Sequence, residues 1–116
     1  MGDFMKRIEA ILRPDVIGCV FNALEKIGHP DLMFSEIEGH GSHEGITMRM
    51  RGNVYNIDLV TKARLEVIVD ESETDIVVDT IRRAAYTGET GDGKIFIHPV
   101  DDAMRVRTGE RGSSAI

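Results

Sequence analysis

The chain has 116 residues, 41% of them hydrophobic and 29% charged, which suits a single globular domain with a modest core. Its formal net charge of −6 argues against nucleic acid as a partner, although a local basic site stays open. The single cysteine cannot form an internal disulfide, and no segment has the pattern of a signal peptide or a membrane span, so we expect a cytoplasmic protein.

The first patterned segment is 5–13, where apolar and polar residues alternate and predict a strand. Pro14 then favours the start of a helix, and the residues after it carry apolar side chains at helical spacing. This predicted helix, 15–27, ends at Gly28, a residue type common at helix C-termini. Cys19 lies on or beside the apolar face of the helix, which predicts a buried core thiol.

The remaining elements complete a strand–helix–strand, strand–helix–strand order. Further strands are predicted at 32–39, 64–70 and 94–100, and a second helix at 73–86. On this helix Ile76 is among the side chains expected to face inward. The order predicts an α+β fold of the ferredoxin-like type, in which two helices cover one face of an antiparallel sheet.

The connection between the second and third strands is long, extending over about 39–61. Hairpin loops usually take about 2–5 residues, and longer connections tend to be functional or disordered. Apolar residues such as Met48 and Ile57 allow part of the connection to continue the two strands as a ribbon. We therefore predict a partly apolar arm that binds a partner.

Glycines concentrate before the fourth strand, at Gly88, Gly91 and Gly93, and Lys94 follows directly. Glycines let backbone N–H groups approach an anion, and a lysine adds a charge that favours phosphate. The spacing is not that of a Walker A motif, and a strand follows where that motif has a helix. A plain connecting loop is the alternative for this segment alone. Asp92 could lie beside magnesium, but a role in the turn is favoured.

Arg105 and Arg107 stand two residues apart in a short fifth strand predicted at 104–109. Alternate residues of a strand project from the same face, so the two guanidinium groups are expected side by side. Such a pair suits a polyphosphate, and surface salt bridges are the alternative. Together with the glycines and the lysine, the arginines favour a polyphosphate site.

Catalytic candidates are weak. No serine or cysteine stands in a recognisable nucleophile motif, so we expect a binding protein and not an enzyme. A slow ATPase stays a hypothesis, because Lys94 and the arginines could stabilise phosphoryl transfer. His40 and His43 form a His-x-x-His pair among glycines, which is weak evidence for a metal site. A module that responds to a metal or a small anion through these histidines is a further alternative.

Three stretches resemble the PII family of signal transduction proteins. "TGETGDGKIFIHPV" followed by "RVRTGE" is similar to the family's carboxy-terminal motif. "KRIEAILRP" resembles its first strand, and "RGNVYNIDLVTK" resembles the segment with its modified tyrosine. The resemblance implies a homotrimer that senses ATP or ADP, and often 2-oxoglutarate, in clefts between subunits. It also implies regulation of a protein target, such as a transporter or an enzyme of nitrogen metabolism.

The resemblance treats 1–116 as one domain with a T-loop at about 39–61, a B-loop at about 87–94 and a C-terminal loop at about 105–116. The residues that it implies for nucleotide binding are Gly39, Gly41, Ser42, His43, Thr87, Gly88, Gly91, Asp92, Gly93, Lys94, Arg105 and Arg107. The two arginines would act from a neighbouring subunit. Lys62 and His43 would bind 2-oxoglutarate, and Tyr55 matches the tyrosine that some members modify.

Three positions depart from the family pattern. His43 stands where a glutamine usually helps to bind magnesium and 2-oxoglutarate, and imidazole is shorter and can be protonated. Met33 replaces a threonine that contacts adenine, and a thioether cannot donate that hydrogen bond. Val54 interrupts the run before Tyr55 that a modifying transferase would recognise. We therefore expect a divergent member of the family that binds ATP or ADP, with magnesium possible. Whether it responds to 2-oxoglutarate and whether Tyr55 is modified stay open.

Overall fold

The structure, a computed structural model, describes the backbone of residues 4–40, 46–50, 53–57 and 59–116, and the side chains of 4–38 and 61–116. The main elements are β1 (Met5–Leu12), α1 (Ile17–Lys26), β2 (Met33–His40), β3 (Ile46–Met50), β4 (Asn53–Ile57), β5 (Leu59–Asp70), α2 (Thr74–Ala85) and β6 (Gly93–Val100). Short 3₁₀ turns precede both helices and lie near the end of the chain, at Pro14–Val16, Glu71–Glu73 and Gly112–Ala115. Among the described residues, none of the helices combines the length and hydrophobicity needed to cross a membrane.

Four strands form an antiparallel sheet in the order β2–β5–β1–β6. The strands β3 and β4 pair with each other in a separate two-stranded ribbon. With two helices in the order predicted, this is the ferredoxin-like arrangement, and the fold prediction is confirmed.

One face of the sheet packs against the two helices. Alternate residues of β1 and β5 are buried there, as expected for strands with one covered face. The buried apolar cluster consists of Ile8, Ala10, Leu12, Val20, Leu24, Leu65, Val67, Val69, Val77, Ile81 and Ala85. The packing of these side chains stabilises the sheet whose ends carry the candidate site.

Two side chains that were expected in the core are exposed. Cys19 lies on the surface of α1, and Ile76 of α2 is 55% exposed. Each directly precedes a fully buried valine, Val20 or Val77. Successive residues of an α-helix point about 100° apart, so a neighbour of a residue that faces the core turns outward. The prediction of a buried Cys19 thiol is therefore wrong.

The long connection after β2 forms strands on both sides. The strands β2 and β5 stay paired as far as His40 and Leu59, and β3 and β4 pair from Ile46 with Ile57 onwards. The expectation that the connection continues the strands as a ribbon is confirmed for the described backbone. Residues 41–45, which include three of the predicted nucleotide ligands, lie outside the described residues.

The fifth strand predicted at 104–109 is wrong. Met104 forms only an isolated bridge, with Arg111, and the chain turns back between them. The N–H of Gly109 donates to the carbonyl oxygen of Arg105 over 2.8 Å, and Gly109 has a φ of 76°. This turn replaces the strand, so the two arginines of the segment do not share one face of a sheet.

Candidate anion-binding site

The glycine-rich loop, 87–94, connects α2 to the start of β6 at one end of the sheet. At this end Leu12 pairs with Ala63 on one side and with Gly93 on the other. We call it the loop end. Because β1 is antiparallel to both neighbours, the last residues of β1 and the first residues of β6 lie side by side there.

Asp92 organises the loop from within. Its Oδ2 accepts hydrogen bonds from the N–H groups of Thr87 and Gly88, each over 2.9 Å, and its Oδ1 accepts one from the Thr87 hydroxyl. The Nε of Arg13 adds a further donor at 3.3 Å from Oδ1. The Thr87 hydroxyl first, and the backbone donors after it, hold the pKa of Asp92 well below its usual range. The carboxylate thus forms the turn and is not a free base.

Three glycines of the loop adopt backbone conformations that other residues rarely take. Gly88, Gly91 and Gly93 have φ values of 86°, 99° and 108°. At Gly93 a Cβ would lie 1.8 Å from the carbonyl oxygen of Ile11 in β1. Only glycine therefore lets β6 begin at this point while paired with β1.

Three basic side chains lie in or beside the loop and differ in their contacts. Arg13 donates from Nη2 to the carbonyl oxygen of Thr90, in addition to its contact with the loop carboxylate. Lys62 donates from Nζ to the carbonyl oxygen of Gly91 over 2.7 Å. Lys94 is exposed and forms no ion pair with any carboxylate in the described part of the chain. The ammonium group of Lys94 is therefore available to an anion.

The opposite end of the sheet carries the residues after β6. There Met5 pairs with Asp70 and with Val100, and we call it the tail end. The Ser113 hydroxyl donates to Asp70 Oδ1 over 2.8 Å and holds the last residues of the chain at this end.

The two predicted phosphate-binding arginines lie at the tail end. Arg105 pairs with Glu110, Nη1 to Oε1 at 3.5 Å, and donates from Nη2 to the Ser114 carbonyl oxygen over 3.3 Å. Arg107 is exposed and forms no ion pair with the described carboxylates. The eight residues of β6 separate both from the loop end by roughly 25 Å, at about 3.3 Å per residue. Within one chain, Lys94 and the arginines cannot contact the same small anion.

Open cavities lie at both ends of the sheet. One of about 380 Å³ beside the loop is lined by apolar residues of β1, α2 and β6 and by Lys94. The other, of about 330 Å³ at the tail end, is lined by residues such as His29, Asp70 and Glu73 and by the C-terminal Ile116. His29 Nε2 and Glu73 Oε2 lie 3.1 Å apart in the lining of this second cavity.

The structure thus gathers part of the predicted site. The predicted residues that lie at the loop end are Lys62, Thr87, Gly88, Gly91, Asp92, Gly93 and Lys94. Gly39 pairs with Val60 where β2 and β5 extend beyond the same end. Gly41, Ser42 and His43 lie outside the described residues, and Tyr55 is described only as backbone of β4.

Arg13 is the contact residue that sequence reasoning missed. The sequence places Arg13 directly after the first strand. Because β1 is antiparallel to β6, the end of β1 lies beside the start of β6, where the loop is. As for metals, no group of three or more His, Cys, Asp or Glu side chains could hold an ion in the described part of the chain. The histidine hypothesis concerns the side chains of His40 and His43, which lie outside that part.

Comparison with known proteins identifies the family. A family model described as nitrogen regulatory protein P-II matches residues 5–110. The chain belongs to the P-II family of nitrogen regulatory proteins. It is 47% identical over 113 residues to nitrogen regulatory protein P-II 2 of Methanothermobacter thermautotrophicus, covering 97% of this chain and 98% of that protein.

Other P-II proteins agree. Nitrogen regulatory protein P-II of Synechocystis is 46% identical over 112 residues, which are 97% of this chain and all of that protein. The crystal structure of Arabidopsis thaliana PII bound to citrate matches with a TM-score of 0.80 at 38% identity, covering 98% of this chain and 94% of that one. The resemblance drawn from the sequence motifs is confirmed, and P-II proteins are regulatory proteins.

Proposed function

We propose that this P-II protein senses adenine nucleotides, binding ATP or ADP in clefts between the subunits of a homotrimer. The observation that carries the proposal is the glycine-rich loop followed by Lys94, whose charge no described carboxylate neutralises. Left-handed glycines let the backbone approach phosphate closely, and the lysine adds a charge-assisted contact. Magnesium could accompany ATP.

The nucleotide would lie between the loop end of one subunit and the tail end of the next. Lys94 would contact phosphate from one side, and Arg105 and Arg107 from the other. Because these groups stand at opposite ends of β6, a shared ligand requires two copies of the chain. A heterologous contact that closes after three copies supplies three such clefts.

The T-loop, 39–61, would pass the nucleotide state to a protein target. ATP and ADP would favour different conformations of this segment, and a target that prefers one conformation would report their ratio. The proposed target is a membrane transporter or an enzyme of nitrogen metabolism. Modification of Tyr55 stays a hypothesis, because Val54 interrupts the run that precedes it.

We propose 2-oxoglutarate as a second ligand near Lys62. The Nζ of this lysine already donates to the carbonyl oxygen of Gly91, so a dicarboxylate would compete for an ammonium beside the phosphate site. His43 replaces the family's glutamine in this region. We therefore expect this second ligand to bind weakly and to enhance ATP binding little.

Isothermal titration calorimetry with ATP, ADP and AMP, each with and without magnesium and 2-oxoglutarate, tests the proposal. ATP and ADP should bind, and AMP should bind more weakly because one phosphate cannot reach both the loop and the arginines. Absence of all nucleotide binding at millimolar concentration would contradict the proposal. In a His43→Gln variant 2-oxoglutarate should strengthen ATP binding, and an unchanged ATP affinity would exclude His43 as the cause.

A further inference from the structure

We propose that Arg13 is a positioning residue for nucleotide binding: it holds the glycine-rich loop against the end of β1 and offsets the charge of Asp92. The proposal rests on the nucleotide function proposed above and assigns a role to a residue outside the predicted ligand set. Arg13 directly follows β1, and its side chain is 26% exposed, close to the 25% of Asp92. Both partners are thus largely shielded from solvent.

Arg13 contacts two residues of the loop and so links the loop to the end of β1. Its Nε contacts Asp92 Oδ1 at 3.3 Å, and its Nη2 donates to the Thr90 carbonyl oxygen. Both partners lie more than seventy residues away in sequence, so the contacts fix the loop relative to the sheet and not only within itself. A guanidinium holds its donors in one rigid plane, whereas the ammonium of a lysine is a single point charge.

Asp92 poses an electrostatic problem in a loop that binds polyphosphate. The carboxylate stays ionised at neutral pH, because four donors from Thr87, Gly88 and Arg13 stabilise its charge. A nearby phosphate would be repelled, and the repulsion would grow with the number of charges on the ligand. Among these donors only Arg13 carries a positive charge that offsets it. Without Arg13, ATP should therefore lose more affinity than ADP.

The test measures ATP and ADP affinities of the full-length protein by calorimetry for Arg13→Met, Arg13→Lys, Asp92→Asn and the double variant Arg13→Met/Asp92→Asn. Arg83→Met is the matched control, since this arginine pairs with Asp79 at 3.0 Å on the exposed face of α2. Arg13→Met should weaken ATP binding about tenfold and ADP binding less, as expected for one lost charge-assisted contact. Arg13→Lys should restore part of the loss, and Arg83→Met should change neither affinity.

The double variant Arg13→Met/Asp92→Asn shows whether Arg13 acts by offsetting the charge of Asp92 or only by stabilising the fold. In the Asp92→Asn background, Arg13→Met should cost less ATP affinity than it does alone, because no carboxylate is left to offset. Equal losses for ATP and ADP, or an undiminished loss in the Asp92→Asn background, would overturn the proposed charge role.

Amide hydrogen exchange without any ligand tests the loop contact independently of nucleotide binding. Arg13→Met should speed exchange at the N–H groups of Thr87 and Gly88, which donate to Asp92, and leave Leu65 in β5 protected. Unchanged exchange at the two loop amides would overturn the positioning role even if nucleotides bind. If the wild-type protein binds no nucleotide, the proposed function fails, and the ligand-binding half of this proposal fails with it.

Discussion

At Gly93 the backbone of β6 passes so close to β1 that a side chain has no room. The φ of 108° already disfavours other residues, and a Cβ added there would fall 1.8 Å from a backbone oxygen, which cannot move aside as a flexible side chain could. Gly93, whose lack of a side chain lets the start of β6 pair with β1, thus directly precedes Lys94. Gly93 is therefore required by the fold and also adjoins the proposed phosphate site.

Replacing Gly93 with alanine should lower stability more than replacing Gly28 with alanine. Both glycines have positive φ, 108° and 91°, so both variants carry a conformational cost of about 1 kcal/mol. Only at Gly93 would the new Cβ also collide with the backbone, since nothing lies within 4 Å of it at Gly28. Thermal unfolding should show a Tm several degrees lower for Gly93→Ala than for Gly28→Ala. Equal shifts would contradict the steric explanation.

Among the elements, the segment after β6 is held by backbone hydrogen bonds, such as that from the Arg105 N–H to the Glu110 carbonyl oxygen at 2.8 Å, and by the side chain of one aspartate. Asp102 Oδ1 accepts hydrogen bonds from the N–H groups of Ala103 at 2.8 Å and Gly112 at 3.2 Å, and Oδ2 binds the Arg111 guanidinium. Arg111 first, and then the backbone donor of Ala103, hold the pKa of Asp102 below its usual range. The turn that presents Arg105 depends on these contacts.

Asp102→Ala should loosen this segment and weaken nucleotide binding, because the arginines within it lose their fixed position. Amide exchange over 103–112 should speed up while the Tm of the domain changes little, since the segment lies outside the core. Asp101→Ala, which removes the neighbouring exposed carboxylate, is the control. Unchanged exchange in Asp102→Ala would contradict the anchoring role.

Acid should loosen the same segment in the wild-type protein. A carboxyl whose folded-state pKa is lowered stabilises the folded state above its unfolded-state pKa, about 3.9 for aspartate. That contribution is lost as the pH falls below this value towards the lower folded-state pKa of Asp102. Exchange over 103–112, corrected for its intrinsic pH dependence, should therefore rise below about pH 4. In Asp102→Ala this rise should be smaller.

The sequence was sufficient where a single periodicity dominates an element. Alternation identified β1, and helical spacing placed α2, Thr74–Ala85, within one residue of its predicted ends. Alternation gave a wrong prediction at 104–109. Met, Arg and Val alternate there as in a strand, but hydrogen bonds to Asp102 and a turn at Gly109 determine the backbone conformation.

For the candidate site, the sequence predicted the glycines of the loop but not the long-range contact that holds the loop. Gly88, Gly91 and Gly93 were recognisable because their positive φ leaves few other residue types. The contact of Arg13 with Asp92 joins residues far apart in sequence, and no local spacing reveals such a pair. Cys19 was misplaced because it was counted with the narrow buried stripe of the helix, although a residue next to that stripe points about 100° away from it.

For the whole molecule, the described residues of a single copy leave one face of the sheet without a covering element. Opposite the helices lie the ion pair Arg7–Glu66 at 3.4 Å and the contact of His98 Nε2 with Glu9 Oε1 at 3.2 Å, and Phe96 beside them is 45% exposed. A partly apolar face with paired charges can pack against other copies of the chain. Such packing accords with the proposed homotrimer, in which neighbouring subunits complete each nucleotide cleft.

Mixing two variants, each with one half of the site impaired, tests most directly the central claim that each nucleotide site is built from two subunits. Lys94→Ala and Arg105→Ala should each weaken ATP binding by roughly 1–3 kcal/mol, with Lys26→Ala as the exposed-lysine control. If the two variants are unfolded and refolded together in equal amounts, about a quarter of the clefts should combine an intact lysine with an intact arginine. Calorimetry should then detect that fraction of sites at wild-type affinity. No recovery in assemblies shown to contain both variants would contradict a site shared between subunits.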